Sequence, residues 1–120
     1  TVEVARRDTL SKTTYPLDGM SKEIKNLLTE IQQSLYKRAF DFRDAHNSQV
    51  DTFEDFKKVL EDKGGFISAH WDGTAETEQK IKELTKATIR CIPYDSIEEV
   101  GACVFSGAAS KGRVLFAKAY

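Results

Sequence analysis

The segment from Gly64 to Pro93 narrows the possible folds of this chain more than any other. Gly64-Gly65 interrupts a helical pattern, and Phe66 to Trp71 follows as an apolar, β-favouring run. Asp72-Gly73 is turn chemistry, and Thr74 or Asp72 can cap a helix that begins near Ala75. Ile81 and Leu84 give that helix a narrow apolar stripe among Glu76, Glu78, Lys80, Lys82 and Glu83. Thr88 to Ile92 is again strand-like, and Pro93 ends it because proline has no N–H for a ladder. The connection between the two strands is long enough for a parallel, right-handed crossover.

On its N-terminal side the periodicity is helical. Ile24, Leu27, Leu28, Ile31, Leu35, Ala39 and Phe42 recur at steps of three and four, which predicts a helix from Lys22 to about Ala45. At 1.5 Å per residue such a helix is roughly 36 Å long. That length suits a connection between two bodies, or a surface helix laid along one sheet. Pro16-Leu17-Asp18-Gly19 forms the turn before it and Ser21 the cap. Val2 to Arg7 alternates as a short strand, and Asp8 to Tyr15 is loop or hairpin. His46-Asn47-Ser48 reads as a break, followed by a second helix capped by Asp51 or Thr52, with Phe53, Phe56, Val59 and Leu60 inward. After Pro93 come an acidic loop from Tyr94 to Gly101, a strand at 102–105, a Gly- and Ser-rich turn, and a closing strand at 113–119.

The predicted architecture is therefore α/β (α+β). A small mixed sheet of residues 66–71, 88–92, 102–105 and 113–119 carries a parallel βαβ unit and packs with three helices, one of them long.

Hydrophobic content of 40% with 31% charged residues fits a globular chain and excludes a disordered one. No apolar run reaches the ~20 residues of a membrane helix, so no membrane role is expected. No signal or transit segment is visible. The first residue is Thr, which leads us to expect a piece of something longer. Cys91 and Cys103 are too few for a disulfide scaffold and fit a reducing, cytoplasmic compartment. The net charge of -1 is unevenly spread: residues 51–99 carry seven Lys/Arg against twelve Asp/Glu, and residues 100–120 carry Lys111, Arg113 and Lys118 with no acid. None of these is a dense basic patch. Arg6, Arg7 and Lys12 are the candidates for phosphate contact.

Catalytic constellations are missing. His46 and His70 have no nucleophile-like Ser or Cys beside them and read as structural or surface residues. The two cysteines are twelve apart, with no C-x-x-C, so spacing alone offers no closed zinc site. The glycines do not form a phosphate-cradling pattern. Phe53, Phe56, Phe66, Trp71, Phe105 and Phe116 lie on expected buried faces, as a core and not as a base-stacking platform. From the residues alone the reading stops at a soluble α/β domain without a self-contained active site.

The order of several local stretches says more. Val4-Ala5-Arg6-Arg7-Asp8-Thr9 precedes the long helix with Leu27, Leu28, Ile31 and Gln32. Next come Gly64-Gly65-Phe66-Ile67 with His70-Trp71, then Ile81-Lys82-Glu83 and Ala87-Thr88-Ile89-Arg90-Cys91-Ile92-Pro93, and finally Gly112 to Tyr120. In this order they resemble the C-terminal region of prolyl-tRNA synthetase of the archaeal and eukaryotic type. The resemblance covers nearly the whole chain.

It implies a class II ligase, homodimeric, that uses ATP and Mg to activate proline and loads it onto tRNA(Pro). Residues 1–20 would end the anticodon-binding domain and supply a linker, and residues 21–120 would form the C-terminal α/β domain. The partners implied are the catalytic and anticodon-binding domains of the same polypeptide. No catalytic residue and no cofactor is expected in this chain itself. Many members hold zinc through four cysteines, at positions that fall here on Asp72, Thr77, Cys103 and Ser106. Only one is still cysteine, so no metal is expected. The terminal tyrosine of the family, whose carboxylate is thought to reach the active site, corresponds to Tyr120. The competing readings are a free-standing module that binds protein or nucleic acid through its long helix and basic ends, and a small independent enzyme. The latter is disfavoured by the lack of any nucleophile–base pair.

Overall fold

The computed structural model describes residues 1–119. They form two compact units, one of residues 1–43 and one of the described residues from Asp44 onward.

In the first unit, β1 (Val2–Ala5) and β2 (Lys12–Tyr15) make an antiparallel hairpin with Val2 opposite Tyr15 and Ala5 opposite Lys12. The Arg6 N–H closes it onto the Ser11 carbonyl at 2.8 Å. Helix α1 (Met20–Ala45) follows Gly19, whose carbonyl accepts from the Lys22 and Glu23 N–H groups. The expected inward face is not buried. None of the residues of α1 is buried, and Leu28 and Phe42 are 62% and 67% exposed; Leu27 and Ile31 are half-buried.

The second unit runs β3 (Asn47–Gln49), α2 (Phe53–Asp62), β4 (Phe66–His70), α3 (Ala75–Thr85), β5 (Ala87–Cys91), β6 (Gly101–Ala102), β7 (Ala109–Ser110) and β8 (Arg113–Lys118). Both shorter helices are capped as their sequences predict. Thr52 accepts from the Asp55 N–H and Thr74 from the Thr77 N–H. Strands β3, β4, β8 and β5 form one mixed sheet in that order, and β6 and β7 pair apart from it.

The expected crossover is present, since β4 and β5 run parallel on either side of α3, but the two are not neighbours in the sheet. Strands β3 and β4 are the parallel neighbours, with Ser48 opposite Ile67. Strand β8 lies between β4 and β5, antiparallel to both. Burial goes with that place: Val114 and Phe116 are both buried, and a central β8 is paired along both edges. The stretch His46-Asn47-Ser48, read as a break, instead leads into strand β3 at Asn47, which is too polar for a periodicity signal. Residues 102–105 do not join the main sheet. The Cys103 N–H bonds to the Ala108 carbonyl and the Gly107 N–H to the Cys103 carbonyl, folding that stretch into a tight hairpin turn.

On one face of the sheet Ile67, Ala69, Val114 and Phe116 meet Phe56 of α2 and Ile81 of α3 in a single core. The Phe56 and Phe116 rings cross edge to face at 5.2 Å. Phe53, Trp71 and Phe105 pack against this core, but Phe66 is 43% exposed and points away from it, because it has the opposite strand parity to Ile67. Among the described residues no helix is long and apolar enough to cross a membrane.

Candidate functional site

Two polar networks in the second unit hold the residues singled out by sequence. The first is built on Asp72, in the turn between β4 and α3. Its Oδ1 accepts from the Thr74 N–H at 3.0 Å and the Thr74 hydroxyl at 2.8 Å. Its Oδ2 accepts from the hydroxyls of Thr77 and Ser106, each at 2.7 Å. Thr77 comes from the first turn of α3 and Ser106 from the β6–β7 turn, so one carboxylate gathers three residues from two segments of chain. Burial pushes the Asp72 carboxyl upward, but the hydrogen bonds from Ser106, Thr77 and Thr74 outweigh this and hold it well below the usual carboxylate range. Cys103 is buried in the same hairpin, and Cys91 is exposed on β5.

These residues do not fit zinc. The four positions offer one carboxylate, one thiol and two neutral hydroxyls, and both hydroxyl protons are donated to the carboxylate. Among the described residues no group of three or more His, Cys, Asp or Glu is placed to hold a metal ion.

The second network joins His70 and Arg113, cross-strand partners on β4 and β8. His70 is buried, with Nδ1 2.8 Å from the Ser110 Oγ and Nε2 3.8 Å from the Glu99 carboxylate. The Ser110 hydroxyl donates to the Gly112 carbonyl at 2.9 Å, which leaves the imidazole Nδ1–H as donor to Ser110. A serine whose proton points at a backbone carbonyl, and whose side chain is buried, is not an activated nucleophile. Arg113 donates to the Val50 carbonyl at 3.0 Å, to Glu99 at 2.9 Å and to Asp51. Its guanidinium holds the Asp51 carboxyl below the usual range. Sequence reading missed this network, whose members are up to 63 positions apart. The one available signal was the pairing of a lone arginine with apolar neighbours in a closing strand. A surface cavity of 410 Å³ lies beside both networks, but Asp72, Ser110 and Arg113 in its wall are already hydrogen-bonded within the protein.

In the first unit the three cations are not equivalent. Arg6 is held by Asp8 at 2.8 Å and by Glu30 at 3.1 Å, and Lys12 pairs with Glu3 across the hairpin at 3.1 Å. Arg7 makes no ion pair among the described residues and lines a groove of 520 Å³ with Arg38, over Leu27, Ile31 and Leu35. Tyr120 lies outside the described residues.

Comparison with known proteins adds the family. Residues 53–120 match the family model described as prolyl-tRNA synthetase, C-terminal. The chain belongs to that family. All 120 residues align, at 62% identity, with a proline–tRNA ligase of Flavobacterium psychrophilum, and equally with one of Christiangramia forsetii. In each case the chain spans 24% of the relative's length. The fold is similar to that of prolyl-tRNA synthetase from Cryptosporidium parvum, solved with L-proline and AMP. The TM-score is 0.89 at 28% identity, over 98% of this chain and 25% of that one. The α/β class with three helices and mixed sheets agrees with that structure. The matched stretch contains the whole Asp72 network and, of the second network, His70, Glu99, Ser110 and Arg113, whereas Val50 and Asp51 lie just before it.

Proposed function

We propose that this chain is a non-catalytic accessory domain of a proline–tRNA ligase, a class II synthetase that joins proline to its tRNA at the expense of ATP. The alignment of the entire chain with ligases four times its length carries this reading. ATP supplies the adenylate that activates proline; the groups that bind it, and any Mg, belong to parts of the polypeptide other than these residues. What these residues contribute is support. β8, paired on both sides, is anchored at Arg113 and runs without interruption to Lys118. It carries the chain toward Tyr120, whose carboxylate we assign to the active site of the catalytic domain. The remaining partners are the catalytic and anticodon-binding domains of the same polypeptide, tRNA(Pro) and a second protomer, in the cytoplasm. We take residues 1–20 as the end of the anticodon-binding domain and residues 21–120 as the appended domain. For phosphate contact the ion pairs of Arg6 and Lys12 favour Arg7, with Arg38 across the groove.

The test is made in the full-length ligase. A charged contact near a reacting centre is worth about 1.5–3 kcal/mol, so deleting Tyr120 is expected to slow proline-dependent ATP–pyrophosphate exchange by roughly 10- to 100-fold. An undiminished rate would overturn the role assigned to Tyr120. The free-standing module is favoured instead if the natural reading frame begins near Thr1.

A further inference from the structure

We propose that the Asp72 carboxylate does in this domain what a metal ion would do. Hydrogen-bonded by Thr74, Thr77 and Ser106, it fastens the β6–β7 turn to the start of α3. The inference takes the zinc positions from the family resemblance, and the geometry of one oxygen atom carries it. Thr77 and Ser106 both lie 2.7 Å from Asp72 Oδ2, although Ser106 is 34 positions away from it in sequence. Three of the four side chains at the zinc positions therefore converge on a common point, and the fourth, Cys103, is buried in the hairpin that carries Ser106.

The electrostatics are inverted relative to a thiolate site. There, several anions converge on a cation; here, one anion receives four donors. The hydroxyls of Ser106 and Thr74 each donate one hydrogen bond and accept another. Ser106 donates to Asp72 and accepts from the Ala108 N–H at 3.3 Å, which holds the turn in shape. Thr74 closes the near side of the carboxylate and also caps α3 through its own hydroxyl oxygen, 3.3 Å from the Thr77 N–H. An acceptor-only group satisfied in this way fixes both segments, and it requires neither chelation nor a redox state of the thiol. The carboxyl held well below its ordinary range is what four donors to a single carboxylate produce.

If the positions converge as described, cysteines introduced there should close a zinc site with Cys103. The full chain carrying Asp72→Cys, Thr77→Cys and Ser106→Cys is expected to retain about one zinc per chain after dialysis, and to lose its thermal transition in chelator. The parent chain should retain none and melt identically with and without chelator. A four-cysteine chain that takes up no zinc, folded or not, would overturn the proposal, as would zinc retained by the parent. A second measurement reads the hydrogen bonds themselves. Ser106→Ala should lower the melting temperature of the parent by about 4–8 °C, and by no more than half as much in the Asp72→Ala background. Equal losses in both backgrounds would mean that Ser106 acts through something other than Asp72. Zinc titration of the four-cysteine chain decides the matter whether or not Asp72→Ala folds.

Discussion

Gly101 lies directly against the imidazole of His70: a methyl group in place of its hydrogen would sit 2.4 Å from Nε2. The ring has little room to yield, since His70 is buried and its Nδ1 is tied to Ser110. Gly101→Ala is therefore expected to displace the ring, break that hydrogen bond and cost about 1–3 kcal/mol in urea denaturation. Gly112→Ala is the control, because nothing lies within 4 Å of a methyl group there and its φ is not in the left-handed region. Its stability should change by less than about 0.5 kcal/mol. Gly65 is constrained twice over, by a φ of +77° and by the His46 carbonyl at 2.2 Å from any added Cβ. Read in sequence, Gly64-Gly65 signals a helix stop and nothing more. The carbonyl that makes the second glycine necessary belongs to His46, in the turn that leads into β3.

Helix α3 shows how an element's two ends differ in legibility. Its start is written locally, in Asp72, Gly73 and Thr74, and the structure forms it there. Its end is not, because Lys86 adopts the left-handed conformation at φ 65°, where glycine is usual. The Lys86 N–H bonds to the Lys82 carbonyl, so the cap itself forms normally. Lys86→Gly is expected to relieve the Cβ strain and raise stability by about 0.5–1 kcal/mol in the same denaturation assay. Strand β8 differs again. Its alternation of Val114 and Phe116 with half-exposed neighbours was evident from the residues, but its central place in the sheet was not.

For the chain as a whole, each unit carries carboxylates held below their ordinary range. Asp8 is held by Arg6 in the first unit, and Asp51 by Arg113 in the second; Asp72 is held by its hydroxyl donors against the effect of burial. A carboxyl with a depressed folded value takes up its proton more readily in the unfolded chain. Its contribution to stability is complete above about pH 4 and is lost as pH falls through the folded-state value. Thermal melts of the parent should thus be flat near neutrality and decline below about pH 4. Asp72→Asn should be less stable than the parent at neutral pH and show a shallower decline on acidification. If the two decline in parallel, Asp72 does not contribute to the acid limb.

The sequence by itself determined what is local: the caps at Thr52 and Thr74, the Gly64-Gly65 stop, the run of each helix, and the inward phase of Phe56, Ile81 and Phe116. Helical and strand periods, together with cap chemistry, are carried within a few residues. The ordered series of motifs also carried the family. Tertiary structure alone decided that β8 would separate β4 from β5, that residues 47–49 would become a strand, and that the apolar face of α1 would stay uncovered within its unit. It also brought Ser106 to Asp72 and Arg113 to Asp51. Such choices depend on which surfaces can be buried together and which polar groups find partners once they are. Both are properties of pairs distant in the chain, and no local window contains them.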